Sequence, residues 1–367
     1  MMDVRIQRLA NVLVNYSTTV QPGEWVGILG DVAALPALRA VFDAVLRAGG
    51  NPSVMLSDDY MMRSFLRDAN DDQVAWLDPS QTLYYDQADV YIRVSAPSNT
   101  RALTSIPGAR MQQVQAARRS WLDTRLTRAA EGHFKWVGTL FPTEAGAQEA
   151  NMSLEDYEAF VYGATFCDQE DPIAEWQKLS AMQQKKVDWL VGKKHVKCQG
   201  PNVDLELSID GRSFVNSDGH KNMPSGEIFT GPVEDSVNGW IRYSYPSIVG
   251  GRAVKGIELR FDNGRVVEAH AEENDELLQA QLDTDAGSRY LGEFAIGTNF
   301  GINRFTGSIL FDEKIGGTIH TAIGTGYPET GSKNRSAVHW DMICDMRQDS
   351  TIHVDGELFY KNGEFVI

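Results

Sequence analysis

Cysteine is scarce in this chain. Only three occur in 367 residues, Cys167, Cys198 and Cys344, far apart and outside any C-x-x-C pattern. That excludes a disulfide scaffold and a thiolate zinc site, and it predicts reduced, structural thiols in a cytoplasmic protein. Positive charge is also short. Against 50 Asp and Glu stand 34 Lys and Arg, for a net charge of −16, so a phosphate backbone would be repelled and nucleic acid is excluded as the main partner. No uncharged apolar run approaches the ~20 residues of a membrane span. The longest apolar stretch, 31–50, is interrupted by Pro36, Arg39, Asp43 and Arg47 at amphipathic-helix spacing, so no membrane partner is expected either. The first residues place Asp3, Arg5 and Arg8 where a secretory leader needs its apolar segment, which predicts a chain that is not exported. Repeats, low-complexity segments and long linkers are missing too. What remains is 42% hydrophobic and 23% charged, the composition of a folded protein with room for two domains at ~150 residues each.

The first part of the chain alternates strand and helix patterns. An apolar run at 25–29 precedes a segment, 33–47, in which Leu35, Leu38, Val41, Phe42, Val45 and Leu46 recur at helical spacing; Gly49 and Gly50 stop it, and a strand follows at 54–56. Strands at 90–94 and 136–140, with a long helix over 111–129 between them, continue the pattern. This predicts an α/β N-terminal domain, residues 1–192, in which a parallel sheet is flanked by helices. Residues 27–31 read GILGD, with no G-x-G-x-x-G after the strand, so the layer is Rossmann-like without the backbone cradle of a dinucleotide site.

Helices over 154–162 and 173–190 lead to a change of texture. From residue 193 on, strands alternate apolar and polar residues around tight turns: 203–209 with 213–216 about Asp210-Gly211, 257–261 with 266–269 about Asn263-Gly264, and 351–360 bent at Asp355-Gly356. The expected second domain, 193–367, is α+β and rich in antiparallel strands.

That domain also carries a set of oxygen and nitrogen donors beside glycines or turns and flanked by apolar residues. They are Glu227, Glu293, Glu313, His320, His339 and Asp341. A strand over 338–342 would turn His339 and Asp341 to one face and Val338, Trp340 and Met342 to the other. Carboxylates and imidazoles without thiolate suit Zn²⁺, Mn²⁺ or Co²⁺ in a catalytic site, and a carboxylate is the usual bridge between paired ions. Four carboxylates in the set balance two divalent ions, which points to a two-metal hydrolase.

The segments Asn222-Met-Pro-Ser-Gly-Glu227, Leu291-Gly-Glu293, Leu310-Phe-Asp-Glu313, His320 through Tyr327 and His339-Trp-Asp341 occur in that order. Together they resemble the successive signatures of the aminopeptidase T and aminopeptidase S family of thermophilic metallo-aminopeptidases. The resemblance extends to Gly23-Glu-Trp-Val26, Ala48-Gly-Gly-Asn-Pro52 and Ala96-Pro-Ser-Asn99, and so covers most of the chain. It implies an aminopeptidase acting on short peptides as a homodimer, with two divalent ions (Zn, Co or Mn) per chain. Glu227, Glu293, His320, His339 and Asp341 correspond to the metal ligands, and Glu227 also to a catalytic group. Glu313 is carried over as a ligand on a longer spacing to His320. Tyr327 corresponds to the active-site tyrosine, led in by the glycines of Gly324-Thr-Gly326. Two alternatives stand beside this reading: an Fe(II)-dependent dioxygenase of similar fold that opens dihydroxypyridine rings, and a non-catalytic binding protein that kept the fold. The presence of both Glu227 and Glu293 favours the hydrolase.

Overall fold

Val26, Ile28, Val90, Ile92, Val94 and Val137 are all at or near zero exposure, because each lies on a strand with sheet neighbours or helices on its faces. The computed structural model describes residues 3–249 and 251–367, and its contacts divide into two compact units, Met1–Ala174 with Gly219–Pro224 and Glu175–Asp218 with Ser225–Ile367. The first unit is built on a parallel sheet whose strands lie in the order Asn51–Ser57, Trp25–Asp31, Val90–Ser95, Lys135–Leu140 and Asn222–Met223. The helix Leu35–Arg47 buries Leu38, Val41 and Val45, and Gly49 ends it at a φ of +83°. The α/β reading therefore holds.

Two features of this unit differ from the sequence pattern. The segment 111–129 is not one helix but two, Gly108–Ala117 and Arg119–Ala130, meeting at Arg118 with φ −91° and ψ 7°. No glycine or proline marks the break, and the Arg118 guanidinium lies over the rings of Phe65 and Trp121, so side-chain packing accompanies a break that local propensity does not signal. The helices Asp59–Asp68, Asp71–Ala75 and Pro79–Gln87 were not anticipated. Each has a capping side chain, Asp58, Asn70 and Asp78, accepting from backbone N–H groups of its first turn.

The second unit is antiparallel-rich, as expected. An eight-stranded sheet runs Arg265–His270, Glu258–Asp262, Asn238–Arg242, Val203–Ser208, His195–Gly200, Thr351–Val354, Glu357–Lys361 and Glu364–Phe365. A five-stranded sheet runs His339–Asp345, Thr318–Gly324, Leu291–Gly297, Glu227–Thr230 and Val215–Ser217. Both contribute to one apolar core, the first through Leu205, Ile241 and Leu259, the second through Phe294, Ile319 and Trp340. Hairpins turn at Asn263-Gly264 and Asp355-Gly356, whose positive φ values of 48°, 82°, 51° and 82° suit a right-twisted two-residue loop. The hairpin expected between 203–209 and 213–216 does not form. Val203–Ser208 has both edges occupied, by His195–Gly200 and Asn238–Arg242, and Val215–Ser217 pairs with Glu227–Thr230 in the other sheet.

The cysteines are buried and free. Among the described residues, no helix is long and apolar enough to cross a membrane.

Candidate metal centre

Five of the six candidate donors are gathered by the pleat of the five-stranded sheet, and the sixth, Glu313, follows the short helix Ile309–Asp312. Residues directly opposite in neighbouring strands share a face. Asp341, Ala322 and Glu293 form one such row, and His320 pairs with Ala295. His339 pairs with Gly324, and Glu227 with Gly297. The donors thus share a face with small residues, Ala295, Ala322, Gly297 and Gly324, which leaves space above the sheet. Val338, Trp340 and Met342 belong to the apolar core, as the alternation at 338–342 requires.

Glu293 reaches this face through an irregularity. Strand residues two apart normally point the same way, yet Leu291 pairs with Ile323 and packs in the core while Glu293 pairs with Ala322, because the register shifts between them. The extra residue is Gly292. A Cβ there would lie 2.3 Å from the Thr325 carbonyl oxygen, so only glycine fits the bulge.

The donor atoms form overlapping groups. Atoms of Glu227, Glu293 and His320 lie within 4.8 Å of one another, as do those of Glu293, His339 and Asp341, and those of Glu313, His320 and Asp341. All six sequence-derived positions are thereby brought together, with Glu293 common to the first two groups. His320 Nε2 lies 3.3 Å from Glu227 Oε2 and 3.5 Å from Glu293 Oε1; His339 Nε2 lies 3.3 Å from Glu293 Oε2 and 3.6 Å from Asp341 Oδ1. His339 Nδ1 lies 2.8 Å from the Thr325 carbonyl oxygen. A carbonyl can only accept, so Nδ1 keeps its proton and Nε2 is the nitrogen that faces the cluster and exchanges one.

Burial and mutual charge set the protonation of the cluster. Burial raises Glu227 to about 7 against the pull of Lys314, and raises Asp341 to about 6 against that of His339. Burial opposes ionisation of Glu293 as well, but hydrogen bonds from His320 and His339 outweigh it and hold this carboxylate near 2. Burial would lower both imidazoles, yet the carboxylates, Glu293 first, lift His320 to about 9 and His339 to about 10. Two imidazolium protons therefore occupy positions that cations could take.

Sequence reasoning missed Lys314. Its side chain is fully buried, with Nζ 3.8 Å from Glu227 Oε1 and in direct contact with Glu313. The balance of four carboxylates against two divalent ions thus omits a buried ammonium. A lysine in an apolar segment beside an acidic ligand candidate, as in Asp312-Glu-Lys-Ile-Gly, was the available signal. Thr325, the partner of His339, was missed as well, since nothing in the sequence marks a carbonyl.

Tyr327 is 39% exposed as a whole residue, while its hydroxyl end lies among the carboxylates of the cluster. Its ring packs against Phe229 at 5.3 Å and meets His339 edge-on at 5.1 Å, with its oxygen 3.5 Å from His339 Nε2. Burial of the phenol, aided by the surrounding carboxylates, raises its pKa, so it remains a hydrogen-bond donor. The glycines before it are not there for flexibility. A Cβ at Gly324, whose φ is +96°, would lie 2.1 Å from the Val338 carbonyl oxygen, and one at Gly326 would lie 2.0 Å from Ser332 Oγ. They let the bend pack against the segment leading into His339.

The residues fit divalent cations. Oxygen and imidazole donors without sulfur match Zn²⁺, Mn²⁺ or Co²⁺, and Glu227 Oε2 is buried without a hydrogen-bond partner, a costly arrangement that a cation relieves. Binding must expel the protons on His320, His339, Glu227 and Asp341, so it strengthens with pH. The metal-free fold responds in the opposite sense. All four groups hold protons more tightly folded than unfolded, so their contribution falls as pH rises, through about 6 to 7 for the carboxylates and about 9 to 10 for the imidazoles. Glu293, depressed to about 2, costs stability only as pH falls toward that value. The melting gap between metal-loaded and chelated protein is therefore expected to be small at pH 5 and wide at pH 8. An ion at about 100 times its Kd adds about 2.7 kcal/mol. Thermal melts at the two pH values check this, and an equal gap at both would show that these groups do not exchange protons for the ion.

A family model described as thermophilic metalloprotease (M29) matches residues 2–365. Aminopeptidase T of Thermus thermophilus is 27% identical over 98% of this chain and 95% of its own length. Aminopeptidase 2 of Geobacillus stearothermophilus is 26% identical over 96% and 91%. The solved structure of wild-type AmpT from Thermus thermophilus superposes with a TM-score of 0.86, covering 99% of both chains at 24% identity, which shows a shared fold.

Proposed function

We infer the function from the family to which this chain belongs, the thermophilic metalloproteases (M29), and propose that it is a metal-dependent aminopeptidase that releases N-terminal residues from short peptides with two ions per chain. The relatives' names support the activity. The observation that carries the two-ion reading is the pair of donor groups, Glu227, Glu293 and His320 beside Glu293, His339 and Asp341, joined through one carboxylate. In this reading Glu313 completes the set with His320 and Asp341.

When bound, the ions supply Lewis acidity and a lowered water pKa at the scissile carbonyl. The chain's own residues do the rest. Thr325 holds His339 with Nε2 inward. Lys314 pairs with the carboxylates of Glu227 and Glu313. Glu227, which holds a proton to about 7 in the metal-free protein, would give it up to a bound cation and serve there as an oxygen donor. The Tyr327 phenol donates toward the oxygen on which charge develops. A free α-amino group, in its unprotonated form, would offer a bound ion a lone pair that an acylated N-terminus lacks. We place the chemistry in the part of the chain from residue 193 on and the enzyme in the cytoplasm as a homodimer, in keeping with its buried free thiols and the family resemblance.

A panel of aminoacyl anilides tests this reading, using chelated protein to which Zn²⁺, Mn²⁺, Co²⁺ or Fe²⁺ is restored separately. The expected result is metal-dependent release of the aniline from free but not N-acetylated substrates. No release with any metal, together with oxygen consumption on a dihydroxypyridine with Fe²⁺, would give the protein to the ring-cleaving dioxygenases instead.

A further inference from the structure

The parallel sheet of the first unit carries a cavity of about 420 Å³, lined by cations that no carboxylate neutralises. It opens beside Leu29, Ser57 and Arg93, toward the carboxyl ends of the first three strands. Leu29 and Arg93 are direct partners in the register of Trp25–Asp31 with Val90–Ser95. These are the two strands between which the strand order reverses. At such a point the connections leave in opposite directions and a crevice opens, which is where open parallel sheets bind ligands.

Three guanidiniums line the crevice, those of Arg93, Arg118 and Arg125. In a chain of net charge −16 an arginine has many carboxylates to choose from, yet none of these three forms an ion pair among the described residues. Arg93 Nε donates only to Ser95 Oγ, at 3.3 Å. Arg118 lies over Phe65 and Trp121, and Arg125 over Trp136. Arg125 Nε is buried with no hydrogen-bond partner. Asp78 is the one carboxylate in the lining, and it is committed to capping a helix, accepting from Ser80 N at 2.8 Å and Ser80 Oγ at 2.7 Å. Burial lowers the pKa of Arg118, as happens to a cation removed from water without an anion beside it. Arg118 and Arg125 are part-buried, so leaving their guanidiniums unpaired is costly, and a phosphate, which accepts from such planar forks, offsets that cost.

The rest of the lining mixes polar Ser57, Ser80 and Gln81 with apolar Met55, Met62 and Leu122. It also holds Tyr85 and Trp121, whose rings lie 5.8 Å apart and tilted by 42°. We propose that this crevice binds a small phosphate-bearing molecule with an apolar or aromatic body, the phosphate on the arginines and the body on the rings. The grip differs from a glycine-rich cradle, consistent with the lack of G-x-G-x-x-G after the first strand. It lies wholly within the first unit, whereas every candidate metal donor belongs to the second.

Titration calorimetry on the metal-loaded protein tests the proposal, with phenyl phosphate, inorganic phosphate and phenol as probes. Phenyl phosphate is expected to bind saturably and at least tenfold more tightly than inorganic phosphate, and phenol not to bind. Arg93 is exposed, so Arg93→Gln leaves the fold intact and is expected to weaken phenyl phosphate about tenfold or more. Arg118→Gln is expected to do the same, with Arg118→Lys recovering part of the loss and melting curves confirming that each variant is folded. Phenyl phosphate binding that is unchanged in both glutamine variants places the anion elsewhere and overturns the proposal. So does the lack of saturable binding below about 10 mM, a free energy too weak for three charge-assisted contacts.

Discussion

Glu293→Gln is expected to lose most of its bound metal and about 10³-fold or more in kcat/KM, roughly 4 kcal/mol of transition-state stabilisation. Glu293 is the carboxylate common to two of the three donor groups, and its oxygens face both His320 and His339. Glutamine keeps the shape but removes the charge and replaces one accepting oxygen with a donor, which meets any cation with the wrong polarity. The loss should extend to the metal-free protein. Glu293 is the group that does most to raise His320 and His339 to about 9 and 10, so both imidazoles should titrate lower in the variant, which histidine proton resonances report. Full metal content with a wild-type rate would remove Glu293 from the bridging position, and unmoved histidine titrations would show that its contacts do not form.

Tyr327→Phe is expected to lower kcat and kcat/KM together by about 10²- to 10³-fold while KM stays nearly constant, the signature of an interaction made mainly in the transition state. The structure makes this substitution selective. Phenylalanine retains the ring contacts with Phe229 and His339, so the melting temperature should not move. Tyr327→Ala removes those contacts, but the residue is 39% exposed, so about 1–2 kcal/mol of stability should be lost rather than the 3–5 of a fully buried aromatic. A near-wild-type kcat in fully metallated Tyr327→Phe would exclude the phenol from the reaction.

The sequence was most readable where one local rule acts alone. Alternation at 338–342 places His339 and Asp341 on one face because a strand offers no other choice. Asn263-Gly264 and Asp355-Gly356 turn hairpins because their dihedrals demand such residues. The helical spacing at 33–47 survives as Leu35–Arg47. Reading failed where distant parts decide. Asp210-Gly211 looks like a hairpin tip, but the edge it would need is already taken by Asn238–Arg242. The break at Arg118 has no local mark. Lys314 was passed over because a lysine next to a glutamate reads as solvated surface until the fold buries it.

The bulge at Gly292 bears on how this chain can change over generations. On a plain stretch of strand, removing or adding one residue reverses the facing of everything up to the nearest turn. At the bulge the rule is suspended: with Gly292 deleted, Leu291 and Glu293 would be adjacent and would still point to opposite sides of the sheet, as plain alternation requires. Beyond the bulge there is no such slack, and a residue lost or gained between Glu293 and Gly297 would set the carboxylate or its downstream neighbours on the wrong face. Sequences descended from this one are thus free to change length at their hairpin tips and at the bulge itself, while Glu293–Gly297 must be inherited at constant length.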